Sequence, residues 1–191
     1  MDQVDWQVGD VIVITSSGHN PYESEERTIT EITHNEGRTT IKLDQNLKYT
    51  HFAGVQKFGT KDLEIRAEVA LLSRNVVIQG DEESERTEYG CHIMSYSPIG
   101  DDSSVTRISY TEIRRAGQSY LLGRYPINLH LLGNVHKSYV IGNSIHHTYN
   151  RAITIHGVNY LTVQKNVVYW TMGHSIFIED GVEMHNLIEE N

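Results

Sequence analysis

The stretch SYVIGNSIHHTYNRAITIHGVNYLTVQKN, Ser138 to Asn166, repeats its own opening at its close. SYVIGN (Ser138–Asn143) and LTVQKN (Leu161–Asn166) both end on Asn with an aliphatic residue three places earlier, and NLIEEN (Asn186–Asn191) does so again. The period is roughly two dozen residues. A second register runs in phase with the first. INLH (Ile127–His130), ITIH (Ile153–His156) and IFIE (Ile176–Glu179) each place two aliphatics around one residue that must face the other way in a strand. ISYT (Ile108–Thr111) is an earlier copy of the first register with Thr111 in the Asn position, and the longer interval that follows it implies an inserted loop.

Two short strands in so short a repeat leave no room for a long crossover helix, so each rung must pair with the next. The fold class that follows is all-β: a right-handed single-stranded parallel β-helix preceded by a small antiparallel β region. Leucine-rich repeats are the rival at this length, but they need leucines at fixed offsets, and Ile and Val dominate here. In a β-helix, Asn143, Asn166 and Asn191 stack as a hydrogen-bonded side-chain ladder.

Outward from this core, the first third reads as antiparallel strands: VGDVIVIT (Val8–Thr15), RTITEIT (Arg27–Thr33) and RTTIKLD (Arg38–Asp44), the last two joined by the turn HNEG. The loop SSGHNPYESEE between the first two is expected to be solvated, its acids included. The expected domains are 1–65, a small β domain, and 66–191, the repeats. The chain stops on a ladder Asn with no polar cap, and is expected to be a truncated piece.

Composition narrows the function. Three Pro against 15 Gly and 11 Tyr suit strands joined by turns. A net charge of -9 with scattered Lys and Arg argues against nucleic acid as a partner. No stretch is long and apolar enough to span a bilayer. The one cysteine, Cys91, reads as core filler.

The second register carries the chemistry. The residue after the inward aliphatics is His130, then His156, then Glu179, with Asp180 just beyond. Rungs ~4.8 Å apart would stack these side chains in one outward column. Two imidazoles and a carboxylate are a ligand set for a divalent metal, zinc or calcium, so His130, His156 and Glu179 are the candidate metal ligands. Without metal the column is either an acid/base cluster or a hydrogen-bond ladder. Arg124 and Arg151 flank the same strands and suit the carboxylates of an acidic glycan. With Asn128 and His174 they are the candidate substrate-binding residues. The adjacent pairs Arg114/Arg115 and His146/His147 are each expected to split across the two strand faces.

Four longer motifs occur in order: RAEVALLSRNVVIQG (Arg66–Gly80), GRYPINLHLLGN (Gly123–Asn134), NRAITIHG (Asn150–Gly157) and GHSIFIEDGVEMHN (Gly173–Asn186). Together they resemble the family of fibrocystin-L, the cell-migration-inducing hyaluronan-binding protein and the transmembrane hyaluronidase. WQVGDVIVITSS near the start resembles the last part of that family's G-eight domain. The resemblance implies a larger extracellular or cell-surface protein with β-helix repeats, and a polysaccharide such as hyaluronan, or a protein, as partner. It implies two functions: a non-catalytic binding module, or a glycan depolymerase, hydrolase or lyase. For a depolymerase, Glu179, Asp180 and His156 are the candidate catalytic residues, with Glu179 or Asp180 as the acid. Two departures from the family pattern stand out: Asn128 replaces the first histidine of PIHFH-type sequences, and YGCH around Cys91 replaces a double glycine.

Overall fold

The computed structural model describes residues 4–98 and 103–191. It divides into two compact units, 1–73 and 74–191.

The first unit is antiparallel. Strand β1 (Val11–Ile14) pairs on one side with β2 (Glu25–Asn35), which pairs with β3 (Arg38–Leu43). Two further strands, β4 (Val55–Phe58) and β5 (Lys61–Glu64), form a separate hairpin. β6 (Val69–Leu71) covers the other edge of β1. The β2–β3 turn takes positive φ at both Glu36 and Gly37, the backbone that a tight two-residue hairpin requires and that glycine adopts without strain. Ile12, Ile14 and Ile29 form its small core.

One acid of the expected solvated loop departs from that reading. Glu25 is buried, and it gathers the Arg27 guanidinium, His51 Nε2 at 3.0 Å and the backbone N–H groups of Lys48 and Tyr49. A buried carboxylate is tolerated where its oxygens are this fully occupied.

The second unit is a parallel β-helix of four rungs and three sheets. The first rung holds β7 (Val76–Gln79), the short helix α1 (Glu83–Thr87), β8 (Ile93–Tyr96) and β9 (Arg107–Ser109). The second holds β10 (Thr111–Arg114), β11 (Ile127–Asn134) and β12 (Tyr139–Ile141). The third holds β13 (Ser144–Thr148), β14 (Ile153–Asn159) and β15 (Thr162–Gln164), and the fourth β16 (Val167–Thr171), β17 (Ile176–Ile178) and β18 (Leu187–Glu189). Stacking yields the sheets β7-β10-β13-β16, β8-β11-β14-β17 and β9-β12-β15-β18, all parallel.

The two sequence registers are two of these sheets. Ile127, Leu129, Ile153 and Ile155 point inward and are buried beside Ile113, Ile145, Val140 and Val163. Each such side chain contributes about 2 kcal/mol by leaving water. In the fourth rung, paired on one side only, Ile178 is partly exposed.

The Asn ladder forms as expected. Asn143 accepts from Thr111 N–H, Asn166 from Asn143 N–H and Asn191 from Asn166 N–H, at 3.0 to 3.1 Å. The side-chain amides of Asn143 and Asn166 each donate on to the next Asn of the column. The residues just before the ladder, Tyr110, Gly142, Lys165 and Glu190, all hold positive φ, so a left-handed corner is stacked rung on rung.

A similar corner overturns the expected split of His146 and His147. His147 has φ 50 and falls out of the strand register, which bends both rings to one side with their Nδ1 atoms 2.8 Å apart. Arg114 and Arg115 do separate, to Gln79 and Glu85.

Candidate functional site

Outward residues of β8-β11-β14-β17 form two columns: Met94, Asn128, Thr154 and Phe177, and beside it Tyr96, His130 and His156. Glu179 continues the second column, its N–H bonded to Ile155 O.

The side chains of the second column are linked end to end. Asp180 Oδ2 lies 3.2 Å from His156 Nε2, and His156 Nδ1 lies 3.0 Å from His130 Nδ1. A carboxylate only accepts, so His156 donates from Nε2. When His156 carries that one proton, its Nδ1 accepts from His130 Nδ1–H, and His130 presents a lone pair at Nε2. Burial first, and the His156 ring whenever it is protonated, hold His130 below the usual imidazole range, which keeps that lone pair available at neutral pH. Tyr96 is tilted against His130 at 5.8 Å between ring centres and is 54% exposed, so the head of the column is an aromatic surface open to solvent.

Glu179 turns away from the histidines. Its carboxylate takes both contacts, 3.0 and 3.3 Å, from Arg151 Nη1. The Arg151 guanidinium also donates to Tyr125 Oη at 3.0 Å and lies 3.8 Å above the Phe177 ring, a charge-on-face contact. His174 tilts against the same Phe177 ring, at 4.9 Å between ring centres. Arg124 donates to His92 Nε2 at 3.0 Å, and burial and then the Arg124 charge hold His92 low, so its partner is a neutral ring. Asn128 is buried and donates to Gly123 O at 3.0 Å.

The four chemical groups therefore stand as two pairs, His156 with Asp180 and Arg151 with Glu179. Among the described residues no group of three or more His, Cys, Asp or Glu side chains is arranged to hold a metal ion. As arranged, His130, His156 and Glu179 do not fit a three-ligand site for zinc or calcium. Elsewhere, Cys91 packs against the core and burial pushes its thiol up, which fits a packing role.

Sequence reasoning passed over Tyr96, Tyr125, Phe177 and Thr154. Phe177 and Thr154 are legible in the second register, since each is the outward residue between two inward aliphatics. Tyr125 precedes the strand and carries no periodic signal.

Comparison with known proteins agrees with this fold. The chain is 38% identical to fibrocystin-L of Mus musculus and 33% identical to the cell surface hyaluronidase CEMIP2 of Homo sapiens, each along its whole length. It is 36% identical to a G8 domain-containing protein of Dictyostelium discoideum. It spans only 5%, 14% and 12% of the length of those three relatives. The family model described as CEMIP beta-helix matches residues 88–191, more than half of the chain and nearly all of the four-rung unit; this chain belongs to that family.

Proposed function

We propose that this chain is an extracellular or cell-surface β-helix module that binds polysaccharide along the outer face of β8-β11-β14-β17. The observation that carries this reading is the half-open row Tyr96–His130–His156–Asp180 beside the Arg151–Phe177–His174 cluster. It offers ring surface and hydrogen-bonding edges across four stacked rungs, the pairing of apolar face and polar rim that sugars require. Relatives named as cell-surface proteins support the location. The overall charge of -9 opposes a polyanion, but Arg124 faces a neutral ring and leaves a local cation at the edge of this face.

A second reading is a glycan depolymerase. The observation favouring it is the Asp180–His156–His130 chain, which orients one lone pair at His130 Nε2 as a base would need. In that reading Asp180 and His156 are positioning residues. Glu179, with both carboxylate oxygens engaged by Arg151, suits charge stabilisation better than proton donation.

One experiment separates the outcomes. The full chain is titrated with a hyaluronan octasaccharide and with a neutral glucan of equal length, while product size and unsaturated-uronate absorbance are followed. The binding module predicts saturable binding without chain shortening, weakened roughly tenfold or more by Tyr96→Ala. Shortening that His130→Gln abolishes would establish the depolymerase. No binding of either glycan removes both readings.

A further inference from the structure

Asn128 and Thr154 are register partners on the outer face, yet only 2% and 0% exposed. Asn128 Oδ1 and Thr154 Oγ1 are both buried without a hydrogen-bond partner. Buried polar atoms are nearly always paired, so two orphans side by side in adjacent rungs call for a missing group. Their column runs beside the histidine row and ends on Phe177, the ring under Arg151.

The segment over Asn128 is the inserted loop that lengthens the interval between Thr111 and Asn143. Asn150 Nδ2 pins its base by donating to Gln118 O and Leu121 O, and the Asn128 amide holds its far end through Gly123 O. The loop is inverted relative to a stable one: Tyr120 and Leu122 are 97% and 80% exposed, while Asn128, which holds the Gly123 carbonyl, is buried. Gly123, at φ +81, is a natural hinge.

We propose that Asn128 and Thr154 form the floor of a subsite for one saccharide hydroxyl, roofed by the loop around Gly123. This rests on the polysaccharide reading above. Asn128 Oδ1 needs a donor, and Thr154 Oγ1 can give or take a proton; a single uncharged group that meets both is a hydroxyl. When it enters, the Gly123 carbonyl lifts from the Asn128 amide, and both ends of that amide turn to the sugar.

The test measures affinity for a hyaluronan octasaccharide and melting temperature in the wild type, Thr154→Val and Thr154→Ser. Loss of one neutral hydrogen bond predicts roughly three- to tenfold weaker binding for Thr154→Val, with melting unchanged or raised because an orphan hydroxyl is gone. Thr154→Ser should bind like the wild type. Equal affinity for Thr154→Val overturns the subsite and leaves the polysaccharide reading intact, as does a lowered melting point with unchanged affinity, which would mean an ordered water occupies the position. Hydrogen exchange on the wild type is independent of any variant: the Gly123 and Arg124 amides should change on saturation, and unchanged exchange there with bound glycan overturns the proposal. A wild type that binds neither the octasaccharide nor the neutral glucan removes both this subsite and the reading beneath it.

Discussion

Histidine–carboxylate pairs occur in both units, and the settings of His51–Glu25 and His156–Asp180 differ. In the antiparallel unit, Glu25 and His51 leave 4% and 7% of their side chains exposed, and every direction is filled: Nδ1 of His51 meets Thr15 O while Glu25 takes Arg27 and two backbone N–H groups. In the β-helix, Asp180 and His156 leave 49% and 25% exposed, and the chain of contacts ends at His130 with a nitrogen directed outward. The first arrangement has nothing left to offer a ligand. The second spends its contacts on orientation and keeps one face open, which is what separates a site from a strut.

The sharpest way to break the comparison is Glu25→Gln, which strands the Arg27 and His51 partners in a buried setting. It should cost about 3 kcal/mol in urea unfolding of the antiparallel unit, whereas a loss within the error of an exposed substitution would make Glu25 incidental. Acid should act on the same pair. Burial alone would raise the Glu25 carboxyl, but the Lys48 N–H, His51, the Tyr49 N–H and Arg27 together lower it from 4.5 to about 2. A depressed carboxylate gives its full stabilisation above pH 4.5 and loses it as pH falls toward 2, so the melting midpoint of this unit should drop across that window. A flat midpoint from pH 5 to 2 would contradict the assignment.

His156→Ala should cost less than about 1 kcal/mol, because its partners stay solvated when it is removed, while glycan affinity falls. A large loss of stability would recast the column as a structural ladder. The smallest effect expected is that of metal: with Glu179 held by Arg151, chelator followed by zinc or calcium should leave the melting temperature unchanged. A rise with zinc that His130→Ala cancels would show that the side chains regroup around an ion.

Much of the β-helix was legible because period and burial are the same fact: Ile127, Ile153 and Leu129 are inward wherever the registers say so, and Asn143 and Asn166 stack because each closes a rung. The register of the column His130, His156 and Glu179 was legible for the same reason. The destination of a side chain was not. Glu179 and Asp180 are adjacent, and the corner after β17 sends one to Arg151 and the other to His156, a choice set by a bend that periodicity does not encode. His147 was misread because a left-handed residue within a strand breaks the alternation on which the reading relied. Glu25 was misread because its partners, Lys48, Tyr49 and His51, come from a segment with no sequence signal linking it to the loop.

The most direct test is an NMR titration of histidine-labelled protein with a hyaluronan octasaccharide, reading each ring separately. The account predicts that His130, His156 and His174 shift together and saturate at one concentration while His51 stays in place. Binding that moves His51, or that leaves His130 and His156 unmoved, would contradict it.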